Sequence, residues 1–61
     1  MEYVLINKFD EIVDTVDLAG NVGKTGATTY FQGMKKIPNQ KDFSKLWKVM
    51  SKREYDSIFK T

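Results

Sequence analysis

The sequence predicts a small α+β domain: a three-stranded antiparallel sheet, built from an N-terminal hairpin and a third strand, with two short C-terminal helices packed on one sheet face. Three observations predict it. β-Branched residues crowd the first third, apolar residues recur at helical spacing near the end, and glycine and proline punctuation divides the chain into thirds. The 61 residues allow one domain, residues 1–61, and no second.

Residues 3–7 read as a strand. Residues 8–19 admit two readings. Phe9, Ile12, Val13 and Val16 fit helical spacing, and Gly20 could close such a helix. Ile12, Val13, Thr15 and Val16 are β-branched, however, and helices disfavour that density. A hairpin turning near Asp10-Glu11 is the preferred reading, although that turn carries no Gly or Asn. Gly20, Gly23 and Gly26 then mark a mobile connector. The β-branched and aromatic residues Thr28, Thr29, Tyr30, Phe31 and Ile37 predict the third strand over residues 28–37, with Gly33 at a bulge or close backbone approach.

Pro38 stops that segment, and Asn39 is placed to cap a helix over residues 40–50, with Asp42 at the favourable N3 position. Phe43, Leu46, Trp47 and Met50 stand at i, i+3, i+4 and i+7, the stripe of a buried helix face. Ser51-Lys52-Arg53-Glu54 matches the S-x-x-E capping box and opens a second helix, residues 52–60. One straight helix would set Tyr55, Ile58 and Phe59 roughly a quarter turn or more from the first stripe. Two helices with a bend bury both.

A chain this short buries only about 60% of its unfolded surface, and such scaffolds usually need a disulfide, a metal or a second chain. Cys and His are both absent, which excludes disulfides and zinc sites built on thiolate or imidazole. No cofactor is expected. Either the core packs well for its size, or a second copy or partner covers part of it. Met1-Glu2-Tyr3 carries no basic signal region, and no stretch approaches the ~18 apolar residues that span a bilayer. A cytoplasmic protein with no membrane partner is the expectation.

The charges are sorted by position. Residues 1–20 hold Glu2, Asp10, Glu11, Asp14 and Asp17 against Lys8 alone, a net of −4. Residues 21–61 hold nine Lys and Arg against Asp42, Glu54 and Asp56, a net of +6. Such polarity steers partners and selects the face they approach.

Motifs for bond-making chemistry are missing. Gly23-Lys24-Thr25 invites a phosphate-loop reading, but Leu18 stands where that motif needs its first Gly, and a strand pattern follows where a helix must begin. The spacing of Asp10, Glu11, Asp14 and Asp17 matches no calcium loop, so a solvated acidic rim is the plainer account. Without His or Cys, no nucleophile has a recognisable base, and no enzyme is expected.

The candidate binding residues are lysines. Lys41, Lys45, Lys48 and Lys52 recur at i, i+4, i+7 and i+11, opposite the apolar stripe, a row on the order of 17 Å long if the helix runs through. Lys35, Lys36 and Arg53 are placed to extend it. Such a row can follow a nucleic-acid backbone or an acidic protein surface, or simply keep the outer face soluble. Tyr30 and Phe31, adjacent on a strand, could offer at most one base-stacking ring, and Trp47 belongs to the core stripe.

The leading expectation is therefore a non-enzymatic protein-binding module that modulates, for instance by inhibiting, a larger partner. Self-association as a dimer is a variant, and non-specific nucleic-acid binding through the basic helical face is the alternative. The composition, small, lysine-rich and without Cys, gives the impression of an accessory protein of a phage or other mobile element, an impression of composition and not of homology.

Overall fold

Four successive apolar residues, Tyr3, Val4, Leu5 and Ile6, point alternately to the two sides of a strand. All four can be buried only in a strand with a neighbour on each edge and cover on each face. The computed structural model describes residues 1–59 and supplies this arrangement. Its elements are β1 (Glu2–Ile6), β2 (Ile12–Asp17), α1 (Gly23–Lys35), α2 (Gln40–Leu46), β3 (Lys48–Ser51) and α3 (Lys52–Phe59). The sheet order is β2-β1-β3, with both pairs antiparallel. The protein is thus a small α+β fold with one open three-stranded sheet.

On one face, Tyr3, Leu5 and Val49 pack with Ala27, Phe31 and Phe43 from α1 and α2. On the other, Val4, Ile6 and Met50 pack under Tyr55 of α3. The expectation that both C-terminal helices share one face is corrected. Val49 and Met50 are neighbours in β3 and so face opposite ways; α3 follows the strand directly and lies on the side of Met50.

The N-terminal hairpin forms as expected, and its turn is built by Asn7. The Asn7 side-chain Oδ1 accepts from the N–H groups of Phe9 at 2.9 Å and Glu11 at 3.0 Å. Asp10 takes the left-handed conformation, φ 63°, that Asp and Asn tolerate better than other side chains. The turn's Asn stands three residues before Asp10, at its start. Register then shifts beyond Leu5: Leu5 faces Asp14 while Ile6 faces Ile12, leaving Val13 as the extra residue of a bulge.

The third strand expected over residues 28–37 is instead helix α1, beginning within the expected glycine connector at Gly23. Ala27 and Phe31, one turn apart, drive it by burying completely against the sheet. The two threonines that argued for a strand fit the helix because their hydroxyls donate to carbonyls one turn back, Thr28 to Lys24 at 2.9 Å and Thr29 to Thr25 at 3.1 Å. Gly33 marks no bulge. Lys36 ends α1 at φ 59°, and the Ile37 N–H closes onto Gln32 O at 3.0 Å, a left-handed helix stop made by a lysine.

The expected helix over residues 40–50 is split. Asn39 caps it as foreseen, its Oδ1 accepting from Lys41 N at 2.9 Å and Asp42 N at 3.2 Å. It ends at Leu46, and residues 48–51 become β3, which fills the otherwise open edge of β1. Buried main-chain groups on that edge would lack partners without it, and this outweighs the local helical pattern. Phe43 stays buried, Leu46 is exposed, and Met50 turns to the opposite face. Ser51 begins the last helix as read from the capping box, its Oγ accepting from Glu54 N at 3.1 Å. The expected last residue of that helix, Lys60, lies outside the described residues.

Two substitutions separate these roles. Gly33 sits in the last turn of α1 with open space where a Cβ would stand. Gly33→Ala should raise stability by about 0.5–1 kcal/mol, read from the denaturant midpoint. Gly26→Ala should give no such gain, because the added Cβ would collide with Cγ1 of Val22, a stiff β-branched side chain. Asn7→Ala should cost about 1–2 kcal/mol, since two turn amides lose their acceptor.

Candidate functional site

The expected lysine row needs one helix from residue 41 to 52, and the strand β3 interrupts it. Trp47 is already extended, with φ −136° and ψ 153°. Lys41 and Lys45 remain one turn apart on α2. Lys48 opens β3, and Lys52 opens α3 with Arg53 beside it, on the helix that covers the other sheet face. Lys52 is 2.7 Å from Asp56, an i,i+4 pair of that helix. Lys35 is half-buried, its ammonium 4.7 Å from the centroid of the Trp47 ring. It braces the joint between α1 and α2.

What the fold gathers is a different set. A shallow groove between α1 and α2 is lined by Lys24, Thr28, Gln32 and Gln40. Gln40 continues into a second groove with Lys41, Ser44 and Lys45, and Gln32 into a third with Lys36 and Pro38. Lys24, Lys36, Lys41 and Lys45 therefore share one outer surface of the α1–α2 layer. Lys24 is absent from the predicted row because its segment reads as a glycine connector. Its only signal was the apolar spacing of Ala27 and Phe31, which turns residues 23–35 into a helix.

The N-terminal carboxylates stand elsewhere. β2 is the sheet margin remote from β3, and α1 and α3 pack on β1 and β3. Ile12 and Val13 of β2 stay 36% and 43% exposed. Asp14 caps its own strand's edge, accepting from Thr15 N–H at 2.8 Å, and Asp17 is exposed further along. Among the described residues, no group of three or more acidic, His or Cys side chains is placed to hold a metal ion. The chain's charge sorting thus becomes spatial: an acidic strand margin and a basic helical layer.

Two expectations about ring and loop residues change with α1. Phe31 is wholly buried, while Tyr30 is 47% exposed on the helix flank, its ring edge-on to Phe31 at 5.4 Å. Gly23-Lys24-Thr25 does open a helix, contrary to the strand reading. Leu18 still stands in place of the first glycine, and the Lys24 ammonium lies 4.0 Å from Glu54 across to α3. Trp47 packs against the core as expected, but its Nε1–H is buried without an acceptor among the described residues.

No protein-family model, curated protein or solved structure matches this chain. No helix among the described residues is long and apolar enough to cross a membrane.

The ion pairs around this surface are loose. Lys48–Asp10 spans 3.8 Å and Lys24–Glu54 spans 4.0 Å, all four side chains about half exposed or more. Lys24→Ala and Lys48→Ala should each change stability by less than about 0.5 kcal/mol in thermal or chemical melts.

Proposed function

We propose that this chain is a small non-catalytic module that binds a larger protein and modulates its activity. The observation carrying the reading is the separation of charge across the fold. Lys24, Lys36, Lys41 and Lys45 share the α1–α2 surface, whereas Asp14 and Asp17 line the β2 margin. A molecule polarised in this way is oriented by an oppositely charged partner before contact, which raises the on-rate and suppresses wrong approaches. The absence of His and Cys supports attachment rather than bond-making chemistry.

The same lysines could contact phosphates as point charges. Bidentate guanine reading is disfavoured, because the sequence has a single arginine, Arg53, and it stands on α3 rather than on this surface. A salt series separates the two partner classes. The chain should show no affinity for a mixed-sequence oligonucleotide at low salt. A steep linear fall of log K with log salt would replace the protein reading by phosphate binding. The double variant Lys36→Glu/Lys41→Glu should remain folded by circular dichroism and lose a discrete partner identified by mass spectrometry. Retention of that partner would remove the α1–α2 surface from the interface.

A further inference from the structure

We propose that the end of the molecule carrying the β1–β2 turn is a self-complementary surface through which two copies of this chain associate about a two-fold axis. Three lysines from three elements meet there. Lys8 from the turn, Lys45 from the last turn of α2 and Lys48 from the start of β3 line one pocket with Asn7, Leu46 and Trp47. Two carboxylates share the same end, Asp10 and Glu11 on the turn itself. Asp10 reaches Lys48 at 3.8 Å, and both side chains remain largely solvated, at 49% and 64% exposure. Glu11 is exposed beside Asn7, whose side-chain N–H donates to it at 3.3 Å.

Two large apolar side chains accompany these charges. Phe9 is 68% exposed and Leu46 is 53% exposed. Lys8 lies 5.3 Å from the centroid of the Phe9 ring, so cation and apolar surface are contiguous. A surface that mixes both signs with its own apolar pair matches a copy of itself after a half-turn. The lysines of each copy then meet the carboxylates of the other, twice over.

Charge disfavours the other routes to a dimer. Pairing β2 with β2 about a two-fold axis between Thr15 and Val16 would set Asp14 of each copy against Asp17 of the other, across a strand already bulged at Val13 and self-capped at Thr15. The α1–α2 surface carries Lys24, Lys36, Lys41 and Lys45 against Asp42 on α2 and Glu54, which reaches Lys24 from α3, and its excess of cations repels its copy. The turn end is the surface where like meets unlike. Association there also supplies the outside support that a 61-residue fold without disulfides favours.

The test is sedimentation equilibrium of the full chain over concentrations up to ~1 mM. A reversible monomer–dimer equilibrium weakened by salt is expected. Lys45→Glu/Lys48→Glu makes the end wholly acidic apart from Lys8, and Asp10→Lys/Glu11→Lys makes it wholly basic. Each should weaken self-association by about tenfold or more, and an equimolar mixture should regain a one-to-one dimer. Asp10→Asn/Glu11→Gln, which suits the left-handed turn position, should also weaken the dimer while keeping the native circular dichroism spectrum. A chain that stays monomeric throughout, a dimer indifferent to these changes, or a mixture that fails to pair would overturn the proposal. Capture of an acidic protein at this end by a monomeric chain would overturn it as well. Lys45 belongs to both surfaces, so Asp10→Asn/Glu11→Gln, which leaves Lys24, Lys36, Lys41 and Lys45 unchanged, separates loss of self-association from loss of a larger partner.

Discussion

The structure depends on β1 being enclosed. Tyr3, Val4, Leu5 and Ile6 are each no more than 4% exposed, and burying such side chains stabilises the fold by about 1.5–3 kcal/mol apiece. Enclosure requires two neighbouring strands and two covering layers, and a short chain has few ways to provide all four. The hairpin supplies one edge and β3 the other; α1 with α2 and α3 supply the faces. Each later element is shaped by that demand more than by its own propensity.

This explains which parts of the fold were legible in the sequence. The hairpin, the Asn39 cap and the Ser51 start rest on residues within a few positions of one another, and local chemistry is enough to read them. β3 was unreadable locally because Phe43, Leu46, Trp47 and Met50 carry a helical spacing that the structure overrides. What overrides it is an open strand edge more than forty residues away. α1 was hidden for another reason. Thr28, Thr29, Tyr30 and Phe31 look like a strand when composition is weighed, whereas the deciding pair, Ala27 and Phe31, consists of one small residue and one large.

The functional surface was half legible. That acids lie early and bases late was plain from the chain, and the fold converts that order into position. The particular lysines were not. Their predicted row required a continuous helix, so splitting it carried Lys52 and Arg53 to α3 and left Lys41 and Lys45 on α2, while α1 set Lys24 in a groove with Gln40. Lys8, an isolated cation in an acidic segment, gained neighbours only when the turn came beside the end of α2. Surface chemistry depends on tertiary placement even where core chemistry is local.

The antiparallel match of Tyr3 with Ser51 has a consequence for biosynthesis. As the chain leaves the ribosome, the hairpin can zip early, but the other flank of β1 waits for a segment translated much later. At about 5–20 residues per second, that delay is on the order of a few seconds. During it Val4 and Ile6 stand without the cover of Met50 and Tyr55, a window in which a holdase would find apolar strand surface that the folded molecule encloses.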